Sequence, residues 1–224
     1  MSPGSVHGPG APAPPDEPRT PAWRLLATLG SGGALAGLLL VVVYQLTLPR
    51  IEAHKAEALQ QAIEEVLHDP ARFDTLYLNA GQLTRELPAG ADPRALERVY
   101  LGYDDAETPV GFAITAAEPG FQDVIRLIFG FDPKTGALLG MKVLETKETP
   151  GLGDKIEKDS AFVSQFTGVA APLQGVKKGA GKGKPGEVDL ITGATISSRT
   201  VVRAINRALE RWRPALAAYR ERRP

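Results

Sequence analysis

The chain has 224 residues, enough for one domain of ordinary size with additional segments, and its 26 basic residues balance its 26 acidic ones. This balance gives no indication of a nucleic-acid partner. The chain has no cysteine, which excludes disulfides, cysteine-ligated iron–sulfur clusters, thiolate zinc sites and cysteine nucleophiles. Its three histidines do not pair at metal-ligand spacing, so no metal site is predicted and any redox chemistry requires an organic cofactor.

The N-terminal segments contrast in composition. Residues 1–22 are rich in proline, glycine and alanine and predict a disordered tail. The run over residues 25–48 has no charged residue. Its length of about 24 residues gives a helix of roughly 36 Å, enough to span a bilayer core of about 30 Å. We predict an uncleaved transmembrane helix over residues 23–48, in preference to a buried core helix or a cleavable signal peptide.

Charge does not decide the orientation of this span. Arg19 and Arg24 precede it, and Arg50 and Lys55 follow it, so the positive-inside rule gives nearly a tie. The charge distribution therefore does not determine on which side of the membrane the rest of the chain lies.

A helical stalk and connection are predicted over residues 49–94. Apolar residues spaced among glutamate, lysine and glutamine indicate a helix over residues 49–67. The Asp69-Pro70 pair that follows is a helix-stop signal. This helix would leave the membrane and join the soluble domain.

Four strand-like runs follow, separated by turn signals. They cover residues 98–103, 110–115, 124–131 and 137–144. The last two are joined by the five-residue turn sequence Asp-Pro-Lys-Thr-Gly, which predicts a hairpin. The predicted fold class is therefore α+β, with an antiparallel sheet of about four strands flanked by helices, in a domain over residues 95–213.

A glycine-rich loop with the sequence Glu-Thr-Pro-Gly-Leu-Gly occupies residues 148–153. Pro150 and Gly151 stand at the positions that favour a type II turn. The loop would present Leu152 to the face of a flat aromatic ligand. The alternative interpretation is a plain connection from a strand to a helix that starts at Asp154 and runs to about residue 166.

No pair of groups predicts acid–base turnover of a small substrate, and no catalytic residue is assigned. Glu145 and Glu148 are close in sequence, but carboxylates near a turn are usually exposed to solvent. We therefore expect both side chains to be exposed. The lysine- and glycine-rich residues 175–186 predict a flexible surface loop.

Residues 189–198, with the sequence Asp-Leu-Ile-Thr-Gly-Ala-Thr-Ile-Ser-Ser, are the most informative stretch of the chain. They lead from a short apolar run through small residues into a helix that begins at Thr195 or Ser197. A helix N-terminus offers unpaired backbone N–H groups and the positive end of the helix dipole. The stretch therefore predicts a phosphate site.

The last predicted helix reaches about Trp212. Its apolar stripe would fix it to the sheet and hold its N-terminus rigidly. The stripe consists of Val201, Ile205, Leu209 and Trp212. Pro214 is predicted to end the helix, which leaves a C-terminal tail over residues 214–224.

The loop over residues 148–153 and the stretch over residues 189–195, together with the order of segments along the chain, resemble those of a known family. Residues 189–195 are similar to the flavinylation motif Asp-x-x-Ser/Thr-Gly-Ala-Thr of proteins that carry FMN on threonine through a phosphoester bond. The order of anchor, stalk, sheet, Thr-Pro-Gly-Leu-Gly loop and Thr-Gly-Ala-Thr helix resembles the G subunit of Rnf-type ion-translocating electron transport complexes. It is similar, more distantly, to the C subunit of the sodium-pumping NADH:quinone oxidoreductase. The resemblance extends from about Trp23 to Trp212.

The resemblance implies a covalent FMN on Thr195, attached by a separate flavin transferase that recognises a sequence including Asp189. It also implies that Thr149, Gly151, Leu152 and Gly153 line the flavin. The other motif residues assigned to the cofactor site are Thr192, Gly193, Ala194, Ser197 and Ser198.

The same resemblance implies a place and partners for the chain. It would be a single-pass protein of the bacterial inner membrane, in contact with the lipid bilayer and with other membrane and redox subunits, and its main domain would face the periplasm. The complex would couple electron transfer between ferredoxin and NAD to ion translocation. The alternatives are a C-type subunit of the sodium-pumping reductase and a membrane assembly subunit without a redox role.

Overall fold

The computed structural model describes residues 21–88, 90, 92–93 and 95–219. The chain divides into two compact units, Met1–Ala53 and His54–Pro224. All but two residues of the predicted N-terminal tail, and residues 220–224 of the predicted C-terminal tail, lie outside the described residues.

The first helix, α1, spans Ala22–Val66. The segments predicted as residues 23–48 and 49–67 form this single helix, and Pro49 lies inside it. Its apolar stretch has a mean hydropathy of 2.1 and no buried residue, so large side chains such as Leu29 and Leu46 are exposed. By length and composition this helix can cross a membrane.

The second unit contains a six-stranded antiparallel sheet with the strand order β2-β1-β3-β4-β5-β6. The strands are β1 Arg72–Asn79, β2 Gln82–Thr84, β3 Arg98–Tyr103, β4 Pro109–Pro119, β5 Val124–Asp132 and β6 Ala137–Glu145. The four predicted strands are β3 to β6, and the predicted hairpin of β5 and β6 is confirmed. β1 and β2 lie in the range predicted as a helical stalk and connection, so that prediction missed two strands.

The two faces of the sheet are covered by different helices, because side chains alternate along each strand. On one face, Ile63 and Val66 near the end of α1 pack with Tyr100, Ala113 and Ile128. On the other face lies the larger part of the core, which includes the helix α4, Thr195–Ala218. The apolar stripe predicted for this helix is buried there, at Val201, Ile205, Leu209 and Trp212.

The helix predicted from Asp154 to residue 166 is interrupted. The structure has two single-turn helices, α2 Lys155–Lys158 and α3 Ser160–Val163, followed by a 3-10 turn over Ser164–Phe166. Asp159 separates them because its carboxylate accepts the backbone N–H of Ala161 at 3.0 Å and so caps α3. The next strands, β7 Gln174–Lys177 and β8 Glu187–Leu190, pair in parallel, so part of the predicted flexible loop is a strand.

The predicted end of α4 at Pro214 is wrong, because the helix continues through this proline to Ala218. Ala215 and Leu216 are both buried against the core. Their burial stabilises the last turn and compensates for the backbone hydrogen bond that proline cannot donate. Residues 214–218 of the predicted tail are therefore helical.

Candidate functional site

An open cleft of about 350 Å³ lies where the two predicted motifs meet. Residues 148–153 and residues 193–197, which are about forty residues apart in sequence, form its walls. Phe121, in the turn before β5, completes the lining. The lining residues are Phe121, Glu148, Thr149, Leu152, Gly153, Gly193, Ala194, Thr195, Ile196 and Ser197. The volume is in the range of small-molecule sites in proteins.

The loop over residues 148–153 forms the turn that its sequence predicts. The backbone N–H of Leu152 donates to the carbonyl of Thr149 at 3.1 Å, and Gly151 has a φ of +76°, as the third position of a type II turn requires. Leu152 lines the cleft and is 50% exposed. The hydroxyl of Thr149 donates to Gln122 Oε1 at 3.1 Å, which ties the loop to the turn before β5.

The first turn of α4 forms the opposite wall. Gly193 has a φ of +86° and turns the chain into the helix, whose N-cap is Ala194. Ala194 has no side chain that can cap the helix. The N–H groups of the first turn are therefore available to an anion, and the helix dipole favours one there.

The three hydroxyls in this turn have different environments. Ser197 Oγ is buried and donates to Glu148 Oε2 at 2.6 Å. Ser198 Oγ is buried, donates to the carbonyl of Ala194 at 2.8 Å and accepts the N–H of Ile191 at 3.3 Å. Thr195 is exposed, and within the described part of the chain its hydroxyl makes a single hydrogen bond, a long one of 3.5 Å to the carbonyl of Ile191. The hydroxyl of Thr195 is thus accessible for chemistry, whereas both serine hydroxyls are engaged.

The expectation that Glu148 is exposed is wrong, since only 5% of this residue is accessible. Glu148 Oε1 accepts the backbone N–H groups of Phe121 and Gln122, each at 2.9 Å, and Glu148 Oε2 accepts the hydroxyl of Ser197. These bonds satisfy a carboxylate that burial would otherwise penalise. Glu148 therefore joins the turn before β5 to the first turn of α4.

The pKa of Glu148 is lowered from its ordinary value of 4.5. Burial on its own raises this pKa, but the hydrogen bonds from Ser197 and from the N–H groups of residues 121–123 outweigh burial because they stabilise the charged form. The carboxylate is therefore ionised at neutral pH.

This lowered pKa predicts a pH dependence of stability. A carboxylate with a depressed pKa in the folded state stabilises the fold above its unfolded pKa, and this contribution is lost as the pH falls through its folded pKa. The difference in unfolding free energy between wild type and Glu148→Gln should therefore be largest near neutral pH and shrink below about pH 4.5. Urea unfolding of both proteins across the acidic range measures this difference, and a difference that does not change with pH would contradict the assignment.

Four predicted site residues do not line the cleft: Asp189, Thr192, Ser198 and Gly151. Asp189 lies on β8, where its backbone N–H donates to Gln165 Oε1 at 2.7 Å and its Oδ2 accepts the N–H of Gly179 at 3.4 Å. Thr192 is exposed just before the turn at Gly193. Gly151 forms the turn of the loop, and the buried Ser198 hydroxyl bonds within the first turn of α4. Both residues lie behind the surface of the cleft.

Three lining residues were not predicted from the sequence: Phe121, Glu148 and Ile196. Phe121 and Ile196 are large apolar residues with exposures of 69% and 52%. Such exposure around one cleft is typical of a surface that covers an apolar ligand. The available signal for Phe121 was an aromatic residue directly after the turn sequence Glu-Pro-Gly.

The arrangement fits FMN. Leu152, Ile196 and Phe121 offer apolar surface to an aromatic ring system, and the uncapped start of α4 offers N–H groups to a phosphate. The exposed hydroxyl of Thr195 lies at the phosphate end of this arrangement.

Comparison with known proteins supports this interpretation. Residues 120–210 match the family described as FMN-binding domain. The chain is 36% identical over 187 residues to the G subunit of the ion-translocating oxidoreductase complex of Photorhabdus laumondii, covering 80% of this chain and 85% of the relative. It is 29% identical over 187 residues to the G subunit of the same complex of Methanosarcina acetivorans, covering 84% of this chain and 92% of the relative.

A solved structure with the same fold is NqrC of Shewanella oneidensis. It superposes with a TM-score of 0.62 at 19% identity, covering 75% of this chain and 100% of NqrC. This similarity confirms the α+β fold, and the sequence relationships over most of both chains establish the family. The chain belongs to the family of G subunits of ion-translocating oxidoreductase complexes.

Proposed function

We propose that this chain is a membrane-anchored flavoprotein subunit of an Rnf-type complex, and that it carries FMN on Thr195 through a phosphoester bond. The complex couples electron transfer between ferredoxin and NAD to ion translocation. The observation that carries the proposal is the accessible hydroxyl of Thr195 at the uncapped N-terminus of α4, inside an apolar-rimmed cleft.

Attachment of the cofactor requires another enzyme. Forming the bond joins the phosphorus of the FMN group to Thr195 Oγ1, which loses its proton, while a P–O bond of the flavin donor bound by the other enzyme breaks and releases the rest of that donor. A threonine hydroxyl is a weak nucleophile without a nearby base, and the charged residue that lines the cleft, Glu148, has its carboxylate engaged by Ser197 and backbone N–H groups. A flavin transferase therefore supplies both the FMN and the activation, and Asp189 belongs to the sequence that it recognises.

The chain's own residues bind and orient the cofactor. The first turn of α4 receives the phosphate, and Leu152 and Ile196 contact the ring system. When bound, FMN supplies the electron-carrying chemistry, so the subunit works only together with the other redox subunits of its complex. The covalent bond keeps the cofactor in place on the periplasmic side of the inner membrane, where α1 anchors the chain in the lipid bilayer.

The direct test is co-expression of the full chain with a flavin transferase. After denaturing electrophoresis, the band of this chain should fluoresce as a flavin, whereas the band from cells without the transferase should be dark. A dark band in both samples would contradict the covalent cofactor and would favour the alternative of a membrane assembly subunit without a redox role. The relatives named as G subunits, which match over most of their length, argue against a C-type subunit of the sodium-pumping reductase.

A further inference from the structure

Glu148 has a position that the binding of FMN alone does not explain. Among the described residues that line the cleft, it has the only charged side chain. We propose that Glu148 is a positioning residue that fixes the turn at Phe121 relative to the start of α4, and that its negative charge lowers the redox potential of the flavin. The second part of this proposal rests on the proposed function.

Phe121 is held at the cleft by its backbone rather than by packing, because this residue is 69% exposed. The turn that contains it is closed by the N–H of Gly120, which donates to the carbonyl of Asp123 at 2.8 Å. The next two N–H groups both donate to Glu148 Oε1 at 2.9 Å. The carboxylate of Glu148 therefore fixes the position of the Phe121 backbone at the cleft.

The start of α4 is held by the same carboxylate. Ser197 is two residues after Thr195 and donates its hydroxyl to Glu148 Oε2 at 2.6 Å. A hydrogen bond to a charged group is stronger than one between neutral groups. An anion near the first turn of a helix is also stabilised by the helix dipole. Glu148 thereby holds the helical turn that carries the attachment residue.

Two glycine backbones approach the carboxylate closely. A Cβ atom at Gly153 would lie 2.7 Å from Glu148 Oε2 and 3.0 Å from Ser197 Oγ, and a Cβ atom at Gly120 would lie 2.5 Å from Glu148 Oε1. The two backbones therefore enclose the carboxylate on both sides. A side chain at either position would displace it.

The charge of Glu148 acts on a bound flavin electrostatically. A fixed anion in a partly desolvated wall opposes the arrival of an electron on a nearby ring, because the medium there screens charge less than water does. Charges beside a flavin are a means by which proteins adjust its potential. An ionised Glu148 in this wall therefore lowers the midpoint potential of the flavin.

Two variants separate charge from geometry. Glu148→Gln keeps the shape and the acceptor oxygen but removes the charge, whereas Glu148→Asp keeps the charge but withdraws it by about 1.5 Å, one carbon–carbon bond. Glu145→Gln is the matched control, because Glu145 is a half-buried carboxylate that pairs with Arg126 and Lys55 and does not line the cleft.

The first measurement is the midpoint potential of the flavin-loaded full chain. We expect Glu148→Gln to raise the potential, Glu148→Asp to change it less, and Glu145→Gln to leave it unchanged. An unchanged potential in Glu148→Gln would overturn the proposed effect of the charge.

The second measurement is amide hydrogen exchange in the flavin-free full chain, which does not depend on the proposed function. We expect exchange at Phe121 and Gln122 to be about tenfold faster in Glu148→Asp, because hydrogen bonds to a charged acceptor are lost. Exchange at the wild-type rate would overturn the positioning role. A wild-type chain that takes up no flavin would overturn the proposed function and the effect on potential, whereas the exchange result would still decide the positioning role.

Discussion

Replacement of Thr195 by alanine is expected to abolish covalent attachment of the flavin and to leave the fold unchanged. The substitution removes the hydroxyl that forms the bond. It costs little stability because Thr195 is exposed and, among the residues that the structure describes, its hydroxyl makes one long hydrogen bond, at 3.5 Å. Substitutions at such positions change stability by about 0.5 kcal/mol or less. Flavin fluorescence of the denatured band measures attachment, and thermal unfolding measures the fold.

Two further variants make this result specific. Thr195→Ser retains a hydroxyl at the same position and should retain some attachment. Thr167→Ala removes an exposed threonine outside the motif and should fluoresce like wild type. Fluorescence that persists in Thr195→Ala would show that another residue carries the flavin.

The largest expected effect on stability is that of Gly130→Ala. Gly130 lies near the end of β5, and a Cβ atom there would overlap the carbonyl oxygen of Val66 at the end of α1 and lie 2.9 Å from Leu139 Cβ. These atoms belong to packed backbone and to the base of a side chain, so they cannot move aside cheaply. We expect a loss of about 3 kcal/mol of unfolding free energy, which corresponds to a decrease in Tm of roughly 6–12 °C.

Gly140→Ala is the matched control for this prediction. Gly140 pairs with Gly130 across β5 and β6 and faces the same turn of α1, but its Cβ atom would lie at an ordinary 3.6 Å from Val66 Cα. We expect a change of less than about 1 kcal/mol. Equal stability of the two variants would contradict the close contact between α1 and the sheet at Gly130.

The strands β3 to β6 were predictable because each is a largely apolar run between turn signals, and neighbours in sequence are neighbours in the sheet. β1 and β2 were not predictable in this way. Arg72, Asp74 and Asn79 give β1 a polar pattern, and its partner β3 begins about twenty residues further along the chain. β1 does pair locally with β2 across residues 80–81, but its pairing with β3, which joins it to the rest of the sheet, is a tertiary contact that local sequence does not encode.

The continuation of α4 beyond Pro214 has a similar cause. The proline is a correct local signal for a helix end, but burial of Ala215 and Leu216 outweighs it. The apolar spacing of these two residues after Trp212 was the signal that could have extended the prediction.

The site was predictable as two motifs but not as an arrangement. The sequence indicated the type II turn at Gly151 and the helix start at Thr195, both of which local chemistry determines. The burial of Glu148 depends on backbone N–H groups from the turn at Phe121, which β4 and β5 bring to it from 27 residues upstream. The local sequence around Glu148 gives no sign of such partners, so the sequence predicts a side chain exposed to solvent.

The most direct test of covalent flavin attachment is the mass of the tryptic peptide that ends at Arg199, prepared from the full chain after co-expression with a flavin transferase. We predict a mass increase of one FMN less one water, with fragment ions that place the addition on Thr195. The same peptide contains three other hydroxyl residues, Thr192, Ser197 and Ser198. An unmodified peptide, or an addition on one of these three residues, would contradict the assignment of Thr195 as the flavin attachment site.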